Sequence, residues 1–189
     1  MRAAKIILCA CTFAVALPVT HSQSAPLGLG TPTTDAQLKG WNIDVRPDGS
    51  GLPPGQGSVA QGEKLYFEQC SACHGEKAEN PAKGFDRLSG GRGSLSTAQP
   101  VQTIGSYVPY ATTIFDYINR AMPFTAPQSL SADEVYSIVA YLLFVNGIVP
   151  QNAVMNAQTL PKVKMPNVNG FIPDGRPDTP DSLCKADCN

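Results

Sequence analysis

The strongest periodic signal in the chain lies between Ser131 and Gly147. Val135, Ile138, Val139, Leu142 and Leu143 recur at i, i+3, i+4, i+7 and i+8, the spacing of one helical face. Ser131 as N-cap with Glu134 three positions later forms a capping-box pattern, and Gly147 closes the segment. A second helix is expected to open at Ser58, with Gln61 completing the same pattern, and to end at Cys70. Its apolar side is Gly62, Leu65 and Tyr66, with Phe67 alongside. Glycine inside a helix costs about 1 kcal/mol relative to alanine, so a close helix crossing is expected at Gly62. A third amphipathic stretch runs from about Tyr110 to Ala121, with Ile114, Tyr117, Ile118 and Ala121 on one face.

The flanks read differently. Residues 25–57 are dense in Gly and Pro, which excludes a sustained helix. Trp41, Ile43 and Val45 alternate with polar positions there, and the only Trp of the chain is expected to dock part of this extension on the domain surface. Residues 149–189 form a Pro-punctuated tail too poor in periodicity for a second domain. The first 24 residues have the three parts of a secretory signal: Arg2 and Lys5, an apolar run from Ile6 to Leu17, and small polar residues ending at Ser24-Ala25. Leu8-Cys9-Ala10-Cys11 loosely resembles a lipoprotein box, but the apolar run continues past it, so export with removal of the leader is expected. No stretch reaches the roughly 18 apolar residues that a membrane span needs.

Charge narrows the partners. Loss of Arg2 and Lys5 with the leader takes the formal net charge from -1 to about -3, which gives no support to nucleic-acid binding. In an exported chain Cys184 and Cys188 are expected to close a small disulfide loop in the tail.

The candidate chemistry is concentrated in Cys70-Ser71-Ala72-Cys73-His74. C-x-x-C-H is the attachment sequence of a c-type haem: two thioether bonds fix the porphyrin and the adjacent His lies on the iron. C-x-x-C also occurs in zinc and thioredoxin-like sites. A zinc site lacks its further ligands here, since the next Cys pair is Cys184 and Cys188, and the residues before Cys70 read as helix where a thioredoxin motif would follow a strand. Gly90-Gly91-Arg92-Gly93 lacks the G-K-[ST] ending of a phosphate loop. It is expected to bring backbone close to the haem edge, with Arg92 as a propionate partner and Tyr110 as a further cofactor contact.

Removal of the leader takes His21 and leaves His74 as the sole histidine. The sixth iron ligand must then be Met, Lys, water or a partner's group. Met122 and Met165 each precede a proline that keeps the chain extended, and Met155 is the third methionine of the mature chain. Met122, placed between two helical segments, is the expected ligand, and Met165, in the tail, is its rival.

Gly62-x-x-x-Tyr66, Cys70-Ser-Ala-Cys73-His74-Gly75, Met122-Pro123 and Ser131-Ala-Asp-Glu-Val with Ala140-Tyr141-Leu142 resemble the class I c-type cytochromes over about residues 58–148. The resemblance implies an all-α fold of three to five helices around one covalent haem, here with irregular extensions, and a crossing of Gly62 and Tyr66 against Tyr141 and Leu142. Trp41-Asn-Ile-Asp-Val45, Gly51-Leu-Pro-Pro-Gly55, Gly105-Ser-Tyr-Val-Pro-Tyr-Ala-Thr-Thr-Ile-Phe-Asp-Tyr117, Arg120-Ala-Met-Pro-Phe124 and Lys164-Met-Pro-Asn167 are further similar to the cytochrome c subunit of bacterial sulfite dehydrogenases and Sox-type sulfur dehydrogenases. That likeness implies a periplasmic single-electron carrier. Its donor would be a molybdenum-cofactor subunit and its acceptor a downstream cytochrome or oxidase. Some such subunits carry two haem domains, whereas this chain has one C-x-x-C-H. The competing readings are a haem enzyme with a displaceable sixth ligand, of thiosulfate-oxidising or peroxidase type, a general soluble respiratory carrier, and a gas- or redox-sensing module.

Overall fold

The computed structural model describes residues 28–172. The leader and the Cys184–Cys188 pair therefore lie outside the described residues. Helix α1 (Asp35–Leu38) is followed by strand β1 (Gln56–Ser58), then α2 (Val59–Gln69), α3 (Ser71–His74), α4 (Ala111–Ala121), α5 (Ala132–Val145), strand β2 (Val154–Asn156) and a 3-10 turn at Leu160–Lys162.

Both expected capping boxes are formed. The Ser58 hydroxyl accepts from the Gln61 amide at 3.3 Å and the Gln61 side chain accepts from the Ser58 amide at 3.1 Å. Ser131 and Glu134 make the same reciprocal pair at 3.4 and 2.7 Å. These bonds use amides that the first helical turn leaves without partners, and they set where α2 and α5 begin.

The crossing of α2 with α5 explains Gly62. A Cβ there would run into the Ser137 carbonyl oxygen of α5, a backbone atom that cannot step aside. One turn on, Tyr66 and Tyr141 meet with ring centroids 5.1 Å apart. Helix α5 is the centre of the molecule: Val135 through Leu143 are all buried, not only the stripe at helical spacing. A helix apolar all round is one enclosed by neighbours. Those neighbours are α2, α4 and the β1–β2 pair. Phe115 of α4 packs on Tyr136 with centroids 4.5 Å apart, and the Tyr136 hydroxyl donates to the Pro53 carbonyl at 2.9 Å.

Two expectations change. The fold is helical but not purely so, because β1 and β2 pair antiparallel with Gly57 opposite Met155. Three-residue strands on either side of the helical segment carry no alternation that a local reading could find. The tail adds Met155, Leu160 and Met165 to the common core. The N-terminal extension does dock, but not through its tryptophan. Trp41 is 83% exposed, whereas Val45 is buried and makes the contact.

Candidate functional site

Cys70 ends α2 and caps the single turn of α3. The amides of Cys73 and His74 donate back to the Cys70 carbonyl at 3.2 and 3.0 Å. Positions i, i+3 and i+4 share a helical face, and this turn brings both sulfurs and the imidazole together on the lining of one cavity. The turn stops at Gly75, whose φ of +81° suits glycine and whose carbonyl accepts the Tyr66 hydroxyl at 2.9 Å.

His74 Nδ1 lies 2.7 Å from the Asp86 carbonyl oxygen. A carbonyl can only accept, so Nδ1 carries the proton and Nε2 keeps the lone pair. This backbone contact fixes tautomer and ring plane in the way that ligand histidines need. Phe85 adds an edge-on contact to the ring at 6.2 Å.

The cavity measures about 960 Å³. One wall is α3 with residues 84–88. The other is α4, through Thr113, Ile114, Tyr117 and Ile118, extended by Met122. Met122 terminates α4 in an extended conformation, φ -121° and ψ 146°. Among the described methionines, Met122 alone lines the cavity, while Met155 and Met165 are buried in the packing of the tail. Burial, and then the neighbouring Cys73, pushes the Cys70 thiol up to about 11. Burial, then the Cys70 and Tyr141 charges, raises Tyr66 above the usual phenol range.

The residues fit a covalently held haem on an observation independent of the motif. Arg87 lines the cavity, and its Nε is buried with no partner among the described residues. An unpaired buried donor is costly, and a propionate oxygen is a group that would satisfy it. A large lining with two sulfurs, an imidazole with Nε2 free, and a thioether completes the donor set.

Two further expected contacts lie elsewhere. Arg92 is exposed and donates from Nη2 to the Asn146 carbonyl at 3.2 Å, away from the cavity lining. Tyr110 is the N-cap of α4 and is not on the lining, while Tyr107 and Tyr117 are. The Gly90 loop is likewise tied to α5, its amide donating to Asn146 Oδ1 at 3.2 Å. Sequence reading missed Arg87, Asn146 and the Asp86 carbonyl. The first two had no motif to announce them, and a carbonyl has no side-chain identity to read.

A family model described as cytochrome c oxidase, cbb3-type, subunit III matches residues 57–142. A chain of the crystal structure of the sulfane dehydrogenase SoxCD from Paracoccus pantotrophus superposes with a TM-score of 0.75 at 43% identity, over 87% of this chain and 83% of that one. The chain belongs to the c-type cytochromes. No curated protein matches it. The cytochrome carries covalently bound haem c, and Cys70, Cys73, His74 and Met122 line one cavity. No described helix is long and apolar enough to cross a membrane.

Proposed function

We propose that this electron-transfer cytochrome is an exported, periplasmic single-electron relay, with His74 and Met122 as axial ligands and thioether bonds at Cys70 and Cys73. When bound, haem c supplies a one-electron ferric–ferrous couple. His74 offers Nε2 because the Asp86 carbonyl holds Nδ1–H. Met122 would offer its thioether to the iron, and a thioether in a buried setting favours the ferrous state. Arg87 Nε would donate to a propionate. With His74 and Met122 both holding the iron, no position would be left for a substrate. The observation that carries this reading is that Met122, alone of the three candidate methionines, shares the cavity of Cys70, Cys73 and His74.

The donor we assign is a molybdenum-cofactor subunit of a sulfite or sulfur dehydrogenase, and the acceptor a downstream cytochrome or oxidase. Support comes from 43% identity to a chain of a solved sulfane dehydrogenase complex. Two measurements test the proposal. The ferric protein should show a Met-to-iron charge-transfer band that Met122→Ala abolishes; a high-spin ferric spectrum would instead favour the haem-enzyme alternative. Mixing the ferric protein with candidate molybdenum subunits and sulfite or a sulfane substrate should reduce the haem. Failure with every such partner would remove the sulfur assignment and leave the relay.

A further inference from the structure

Helix α4 is held between two different surfaces. Thr113, Ile114, Tyr117 and Ile118 face the cavity. Thr112, Asp116 and Arg120, each four residues from the next and so on one stripe, meet the N-terminal extension instead. The Thr112 hydroxyl donates to the Pro47 carbonyl at 3.4 Å, and the Val45 amide donates to Asp116 Oδ1 at 2.9 Å. Arg120 then joins the two acids, Nε to Asp116 Oδ2 at 3.0 Å and Nη2 to Asp44 Oδ1 at 2.6 Å.

The extension is itself braced at this point. Val45 is buried, the Arg46 amide donates to the Ser50 carbonyl at 2.8 Å, and Gly51, at φ +89°, comes so close to the Asp44 carbonyl that a Cβ would collide with it. A strap fixed on the domain thus grips the last turn of α4 through one guanidinium. Two residues beyond Arg120 the helix ends at Met122.

We propose that the Asp44–Arg120–Asp116 clasp is a positioning device for the Met122 thioether, setting how readily this ligand yields to an external one. The proposal rests on the reading of Met122 as an axial ligand. The clasp side chains remain 62%, 38% and 22% exposed for Asp44, Arg120 and Asp116. Exposed pairs contribute modestly, so the clasp biases the end of α4 without carrying the fold. Arg120 is not on the cavity lining and acts through the helix end.

The test is imidazole binding to the ferric holoprotein, read from the haem spectrum, in wild type, Asp44→Asn, Asp44→Glu, Arg120→Gln and Met122→Ala. Asp44→Asn should raise imidazole affinity about two- to fivefold, the range an exposed charge pair carries. Arg120→Gln should raise it further, and Asp44→Glu should return it towards wild type. The melting temperature of Asp44→Asn should stay within about 2 °C of wild type. Unchanged affinity in both Asp44→Asn and Arg120→Gln, while Met122→Ala binds imidazole tightly, overturns the clasp alone. Unchanged affinity in Met122→Ala overturns the axial reading and the clasp with it. A rise accompanied by a large fall in melting temperature also overturns the proposal, because general loosening would then account for it.

Discussion

The two walls of the cavity are held in different ways. The histidine wall rests on backbone contacts and a close crossing: His74 on the Asp86 carbonyl, Tyr66 on the Gly75 carbonyl, Gly62 against Ser137. The methionine wall rests on α4, whose outer stripe is gripped by half-exposed charged side chains. Backbone groups in a packed crossing have nowhere to move, whereas exposed ion pairs exchange readily with water. The wall that carries Cys70 and Cys73 is thus held through backbone groups, whereas α4, buried on its core side, is held at its outer stripe through side chains open to water.

The largest effect should come from breaking the histidine wall at its crossing. Gly62→Ala places a methyl against the Ser137 carbonyl, and should lower stability by about 3 kcal/mol, read by denaturant unfolding. A neutral result there would remove the crossing from the comparison. Next is Asn146, which donates from Nδ2 to the Leu88 and Leu142 carbonyls at 3.2 and 2.8 Å and accepts from the Gly90 amide. Asn146→Ala takes its partner from the Gly90 amide and one donor each from the Leu88 and Leu142 carbonyls, which keep the amides of Ile104 and of position 146, and should cost about 2 kcal/mol. It should also loosen His74, visible as altered haem spectra.

Glu134 serves as a control, since it caps α5, which packs against both α2 and α4. Glu134→Ala should cost about 1 kcal/mol at neutral pH without altering imidazole affinity. The Ser131 amide and then its hydroxyl hold the Glu134 carboxyl below its ordinary range. A depressed folded pKa means stability present above the unfolded value and lost as pH falls through the folded one. The gap between wild type and Glu134→Ala in thermal melts should therefore close on acidification below the usual glutamate range, and a gap that widened would contradict the sign. The smallest stability change belongs to Asp44→Asn, about 0.5 kcal/mol, paired with the ligand-exchange effect already described. If Asp44→Asn destabilised as much as Gly62→Ala, the two walls would not differ.

Much of the site was legible because it is local. Ser58 with Gln61 and Ser131 with Glu134 act over three residues, and their bonds form where the pattern places them. Cys70, Cys73 and His74 share one turn and hence one face. Gly62 was legible through its cost, which only a close contact justifies. Trp41 misled because an apolar residue need not be buried, and it was the neighbouring Val45, with its amide on Asp116, that docked. Arg92 and Tyr110 are near the cavity's segments in sequence, yet the Gly90 loop turns toward Asn146 and Tyr110 caps α4 from outside the lining.

By itself the sequence determined the three principal helices, the capping boxes of α2 and α5 and the Cys70–His74 motif, because each depends on side chains within a few positions of one another. Only the tertiary structure decided which methionine shares the cavity, that the Asp86 carbonyl orients His74, that Arg87 offers an unpaired donor, and that Asp44 reaches Arg120. Those outcomes depend on which distant segments are brought together by burial of α5. Burial is non-directional: it calls for an apolar core, and the partners that meet around that core follow from the packing of the whole chain.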